Sequence, residues 1–92
     1  MRSRVAHVKR LVVYSRRGCH LCEELMDSLL PLVRGLAEVE VRHVDERADW
    51  QRSFGERIPV VTLDDKPICQ YRLDRDAVQR AIGMSGEIAA EP

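Results

Sequence analysis

The chain has no excess of charge of either sign: lysine plus arginine number 15, and aspartate plus glutamate also number 15. Without a net field there is no electrostatic footprint for nucleic acid or for an acidic membrane surface, so neither is expected as a partner. There is no apolar run of the length that a bilayer span requires. The opening residues, Met1-Arg2-Ser3-Arg4-Val5-Ala6, are basic but have neither the apolar core nor the cleavage site of a secretory signal. Cysteine is scarce and odd in number, with three residues, which argues against the paired framework of a small secreted scaffold. A cytoplasmic location is therefore expected. No internal repeat is present, and no linker is long enough to divide two domains. What remains is 92 residues, 45% hydrophobic and 33% charged, enough for one globular domain around one core.

Two of the three cysteines lie together, in Ser15-Arg16-Arg17-Gly18-Cys19-His20-Leu21-Cys22. Before them Leu11, Val12, Val13 and Tyr14 read as a buried strand. After them Cys22, Leu25, Met26, Leu29, Leu30 and Val33 recur at helical spacing. A Cys-x-x-Cys pair is thereby placed in the first turn of a helix, at the end of a strand. Free backbone N–H groups and the helix dipole favour negative charge there, and the thiolate is the reactive form of cysteine. Cys19 would feel most of that effect, with Arg16, Arg17 and His20 adding positive charge, and Cys22 lies one turn further in. Two other readings stand beside the redox one. The pair is also half of a zinc site, but the remaining candidates, Cys69, His7, His20 and His43, form no second paired motif. Both cysteines also fit as buried apolar residues. The strand before and the helix after favour redox chemistry.

The remaining chain reads as a small α/β domain over residues 8–83, with flexible ends at 1–7 and 84–92. Val8 to Tyr14 is apolar enough on both faces for the centre of a sheet. Pro31 falls inside the first helical pattern, where it removes a donor; a kink or two abutting pieces are expected, ending near Gly35. Glu38 to Val44 alternates as a half-exposed edge strand, and His43, on the Val39 side, reads as a partly buried structural histidine. Glu46 to Phe54 forms a short helix with Trp50 and Phe54 on one face and Gly55 as its C-cap. Trp50 reads as core. Pro59 opens a strand ending at Leu63, Asp64-Asp65-Lys66 turns, and Pro67 to Arg72 returns. Asp74 N-caps a last helix with Ala77, Val78, Ala81 and Ile82 inward, closed by Gly83. The order β-α-β-α-β-β-α predicts one parallel crossover and one antiparallel hairpin, hence a mixed four-stranded sheet with three helices.

These features together resemble the thioredoxin fold in its minimal, glutaredoxin-like form. The segment from Tyr14 through Cys19-His20-Leu21-Cys22 to Glu24 is similar to a bacterial glutaredoxin-like family with a Cys-His-Leu-Cys motif. The resemblance implies that Cys19 is the attacking and Cys22 the resolving cysteine. It also implies that Pro59 is cis against the disulfide, and that Ile58 offers its backbone to an extended substrate. His20 and Arg16 would stabilise the thiolate by charge. Gly18 and Val13 stand where thioredoxins carry Trp and a buried acid, which favours the glutaredoxin side. Tyr71-Arg72 replaces the Gly-Gly pair that lets glutathione approach the backbone, so the resemblance does not carry glutathione binding with it.

The expected activity is thiol–disulfide exchange, with a disulfide-containing protein or small molecule as substrate and a thiol as reductant. No cofactor or metal is required, and a monomer is expected. A thioredoxin-fold binding module with little turnover is the alternative. Iron–sulfur carriage is a third reading, disfavoured by the second cysteine. Because Cys19 opens the helix and Cys22 lies inside it, iodoacetamide near neutral pH should alkylate Cys19 first in the reduced protein. Peptide mass mapping checks this, and earlier labelling of Cys22 or Cys69 would overturn the assignment.

Overall fold

The first strand takes the middle of the sheet because its side chains are apolar on both faces. In the computed structural model, which describes residues 9–83, β1 (Lys9–Ser15) lies between β2 (Ala37–His43) and β3 (Val60–Leu63), and β4 (Lys66–Gln70) completes the order β2-β1-β3-β4. β1 pairs parallel with β2, and antiparallel pairing joins β1 to β3 and β3 to β4. The helices are α1 (His20–Val33), α2 (Ala48–Phe54) and α3 (Arg75–Ala81). The mixed four-stranded sheet and three helices expected from the sequence are what forms. The expectations for residues 1–8 and 84–92 lie outside the described residues.

The alternation of a strand sends β1 into two separate cores. Leu11 and Val13 meet Leu25, Leu29 and Val33 of α1, Val61 of β3, and Val78 and Ile82 at α3. Tyr14, on the other face, packs with Val44 and Val60 and with the half-buried Trp50, Phe54 and Ile58. Tyr14 stacks on Phe54 at a centroid distance of 4.0 Å, and Trp50 meets it edge-on at 5.9 Å. Trp50 is thus core, as read from the sequence. The Tyr14 hydroxyl accepts a hydrogen bond from Arg42 Nη1 at 2.9 Å, which satisfies the polar end of a buried ring. Thr62 is buried too, and its hydroxyl donates to the Val12 carbonyl at 3.0 Å, linking β3 to β1.

Three details refine the expectations. One helix runs from His20 to Val33 with Pro31 inside it, not two abutting pieces. Pro31 is exposed and only two residues from the helix end, so water reaches the carbonyl it leaves unpaired. The segment Glu46 to Phe54 divides into a short helical turn at Val44–Glu46 and α2, because Arg47 between them is extended, at φ −144°. Gly55 is the C-cap of α2, as expected, its N–H on the Gln51 carbonyl, with a right-handed backbone at φ −54°. It is needed for close approach: a Cβ there would lie 2.6 Å from the Gln51 carbonyl oxygen.

The β3–β4 connection is a tight two-residue turn, with Leu63 opposite Lys66 and both Asp64 (φ 53°) and Asp65 (φ 67°) left-handed. Two successive positive φ values define the turn type that prefers Asn-Gly. Replacing the pair by Asp64→Asn with Asp65→Gly should raise stability by about 0.5–1 kcal/mol. That is the left-handed penalty of ~1–2 kcal/mol less the added chain entropy of Gly, ~0.4–1 kcal/mol. Urea denaturation checks it; a lower midpoint would reject the account.

Candidate active site

Strand register brings distant residues into one row at the end of the sheet. Ser15 ends β1 directly opposite His43 of β2. On the other side Tyr14 faces Val60, so Pro59 comes beside Ser15, and the Tyr71 N–H donates to the Pro59 carbonyl at 2.9 Å. The row His43, Ser15, Pro59, Tyr71 thus crosses all four strand positions at about 4.8 Å per step. The chain leaves this row at Ser15, turns at Gly18 (φ 78°) and enters α1 at Cys19. A left-handed φ at the turn is why glycine stands there.

Cys19 is the N-cap of α1, with extended backbone at φ −93°, and its Sγ accepts a hydrogen bond from the Cys22 N–H at 3.1 Å. A sulfur therefore occupies the place that serine or aspartate oxygen usually takes. The Cys19 carbonyl accepts the Glu23 N–H at 3.1 Å, which starts the helix. Cys19 and Cys22 form a disulfide, with Cα atoms 5.2 Å apart. Cys19 is half-buried and Cys22 is only 2% exposed. The two sulfurs are thus unequal in access as well as in position.

The other residues singled out from the sequence fall as follows. The Ile58–Pro59 peptide bond is cis and Pro59 is buried at the row. The Ile58 N–H and C=O make no hydrogen bond among the described residues. His20, with a side chain 93% exposed, points into solvent, its Nδ1 3.8 Å from Glu23. Arg16 reaches back to the other face, donating to Gln51 Oε1 at 3.0 Å and to the Gly55 carbonyl at 3.4 Å. Arg17 pairs with Glu46 at 3.3 Å. The ties from Arg16 and Arg17 to the region of α2 anchor the loop before Cys19. Sequence reading missed them, since the partners are 29 to 39 residues away and no local pattern announces them.

Two clefts flank the first turns of α1. One, of about 170 Å³, is lined by Leu21, Leu25, Tyr71 and Leu73, with Glu24 and Arg72 among its polar groups. Tyr71 is 44% exposed and itself left-handed at φ 68°, and its hydroxyl donates to the Glu56 carbonyl at 3.2 Å. The other, of about 290 Å³, lies towards β2 and is lined by Cys22, Met26, Val41, His43 and Ser15. Among the described residues no group of His, Cys, Asp and Glu is placed to hold a metal ion, and no helix is long and apolar enough to cross a membrane.

A Cys-x-x-Cys disulfide at the start of α1, with a cis proline just before β3, places the molecule among glutaredoxin-like proteins of the thioredoxin fold. Comparison with known families narrows this: the glutaredoxin-like domain (DUF836) matches residues 10–83, and the chain belongs to that family. Protein Ne2328 from Nitrosomonas europaea, known from a solution structure, is 39% identical with a TM-score of 0.73, over 80% of this chain and 91% of that one. Protein XcR50 from X. campestris is 22% identical, with a TM-score of 0.60, over 89% of this chain and 99% of the other. Thioredoxin 1 from Thermosipho africanus shares the fold at 15% identity and a TM-score of 0.57, over 84% and 98% of the two chains. Among curated proteins none matches.

Cys69 stands apart from this site. It lies in β4 opposite Val61 and packs, half-buried, against the α1–α3 core. Burial pushes its thiol above the ordinary value of 9.0, with the nearby Asp74 backbone only partly opposing. A protonated thiol is a poor nucleophile. Cys69→Ala should therefore leave disulfide turnover and the Cys19–Cys22 reduction potential unchanged within about twofold and ~10 mV, on a scale where 30 mV is tenfold in equilibrium constant. A redox titration with glutathione or dithiothreitol buffers measures the second quantity, and a larger shift would give Cys69 a redox role.

Proposed function

We propose that this protein is a thiol–disulfide oxidoreductase with Cys19 as nucleophile and Cys22 as resolving thiol. The observation that carries the reading is Cys19 Sγ at the N-cap, accepting the Cys22 N–H, while Cys22 itself is closed from solvent. A charged acceptor strengthens such a hydrogen bond, so the backbone favours the Cys19 thiolate. Arg16, and His20 in its protonated form, add positive charge, but at lesser effect: Arg16 is bonded to Gln51 and Gly55 and His20 is surrounded by water. The Cys19 thiolate attacks a substrate disulfide, whose S–S bond breaks; one substrate thiol leaves, taking a proton. Cys22, deprotonated, then attacks Cys19 Sγ, the second substrate thiol leaves, and the Cys19–Cys22 disulfide closes. Two electrons have passed to the substrate sulfurs.

The substrate in this reading is a disulfide-containing protein or small molecule, laid beside Pro59 with its backbone on the unpaired N–H and C=O of Ile58. The protein works as a monomer in the cytoplasm, without cofactor or metal. Its reductant is a dithiol rather than glutathione. Tyr71 and Arg72 line the cleft beside Leu21, and the Tyr71 ring is tethered at its hydroxyl to Glu56. Close backbone approach asks for glycine there, whereas attraction of a carboxylate by exposed Arg72 is worth only ~0–1 kcal/mol.

Protein reduced with dithiothreitol should reduce insulin disulfides. Cys19→Ser should fall to the uncatalysed rate, and Cys22→Ser should accumulate a mixed disulfide visible as an added mass. Absence of insulin and small-disulfide turnover in the unaltered protein would leave the binding-module reading. At matched driving force a small dithiol should reduce the Cys19–Cys22 disulfide faster than glutathione does, and Tyr71→Gly with Arg72→Gly should narrow that difference. Faster reduction of the unaltered protein by glutathione would reject the preference.

A further inference from the structure

The reaction just described contains a step that the site around Cys19 does not provide for. Cys22 must lose a proton before it attacks, yet it is only 2% exposed. Apolar burial favours the thiol over the thiolate. Of the clefts beside α1, the one towards β2 reaches Cys22, and it contains a single imidazole, that of His43.

We propose that His43 accepts the proton of Cys22 through this cleft, and so sets the rate at which the mixed disulfide on Cys19 is resolved. Three observations place it there. The parity of β2 puts Val39, Val41 and His43 on the α1 side, opposite Leu11, Val13 and Ser15. His43 is 29% exposed, so its ring stands between solvent and the cleft. Its Nδ1 lies 3.8 Å from Glu46 Oε2, and Glu46 is held in turn by Arg17 at 3.3 Å. Glu46 thus lies on the Nδ1 side of the ring, beyond hydrogen-bond distance, and Nε2 is the nitrogen that does not face it.

The charged groups around the ring come from three elements. Arg16 and Arg17 lie in the loop after β1, Glu23 and Asp27 on α1, and Glu46 in the turn after β2. Arg16 is turned to Gln51 and Gly55, whereas Arg17 shares Glu46 Oε2 with His43, so a cation as well as carboxylates stands beside the ring. Glu23 and Asp27 favour that proton by their sign. Of the five side chains only carboxylates could compete as acceptors, and imidazole is the group whose ordinary titration lies near neutrality.

The step balances as follows. A proton moves from Cys22 Sγ to His43, by way of water in the cleft. The Cys22 thiolate attacks Cys19 Sγ, the Cys19–substrate S–S bond breaks, and the substrate leaves as a thiolate that takes a proton from solvent. His43 then returns its proton to bulk water. The inference rests on the oxidoreductase reading and adds to it a residue on the opposite side of α1 from the Tyr71 cleft.

Stopped-flow reaction with dithiobis(nitrobenzoate), in a Cys69→Ala background, separates the two chemical steps. Attack by Cys19 releases one coloured thiolate and resolution by Cys22 releases the second. His43→Gln should leave the first phase unchanged and slow the second about 100-fold, the low end of what positioned acid–base groups contribute. Without that base the second phase should rise with hydroxide, about tenfold per pH unit, a readout that a merely structural role would not move. Glu46→Gln, which leaves the strand intact, should slow the second phase by a smaller factor. Added imidazole should restore the rate in His43→Ala. A second phase in His43→Gln with the rate and pH profile of the unaltered protein would overturn the inference. Loss of both phases in the unaltered protein would instead overturn the oxidoreductase reading, and this inference with it.

Discussion

The pairing of β1 along both of its edges is the constraint on which the site depends. Parallel pairing to β2 sets His43 opposite Ser15, and antiparallel pairing to β3 sets Pro59 on the other flank. Neither neighbour is positioned by its own loop. Because side chains on a strand alternate, a slip of one residue would turn Val13 and Tyr14 to the wrong cores and carry the row at Ser15 out of line. The two cores therefore hold the register, and the register holds the chemistry. Only the three loop residues Arg16, Arg17 and Gly18 then separate Ser15 from Cys19 at the helix start.

The loop itself is held from the face that α2 covers. Arg16 reaches Gln51 and Gly55, and Arg17 reaches Glu46. Each such exposed or half-exposed contact is worth little alone, about 1 kcal/mol or less. Their joint effect is geometric, since they fix the entry direction of the chain just before the dithiol. Gly55 serves the same arrangement: its missing side chain leaves room for Gln51, whose amide oxygen receives Arg16. The aromatic cluster of Tyr14, Trp50 and Phe54 thus supports the site at one remove.

What the sequence made legible was what local chemistry controls. Asp74 caps α3 through a hydrogen bond from the Ala77 N–H at 3.0 Å, and Gly83 follows it at φ 79°, as their residue types indicate. Local pattern located the four strands and three α-helices in order, though not the separate helical turn at Val44–Glu46, and the alternation along β2 already set His43 on the Val39 side. The contacts that join Arg16 to α2 and Arg17 to Glu46 were not legible. They depend on where the chain returns in space, which periodicity does not encode. Gly55 caps α2 as its residue type indicates, but packing against Gln51 rather than a left-handed φ is what requires glycine there. Pro31 leaves α1 a single helix because it lies near the helix end.

The central place of the first strand has a bearing on synthesis. Thr62 donates to a carbonyl 50 residues earlier, and Arg42 bonds Tyr14 across 28. A ribosome releases Cys19 and Cys22 well before it releases β3, so for that interval β1 has at most its parallel neighbour beside it. Contacts of such sequence separation close late and slow the folding of small domains. The nascent chain therefore presents its two thiols on an unfinished scaffold, before Pro59 and the second core exist. Only the local bond from the Cys22 N–H to Cys19 Sγ, three residues apart, is within reach from the start.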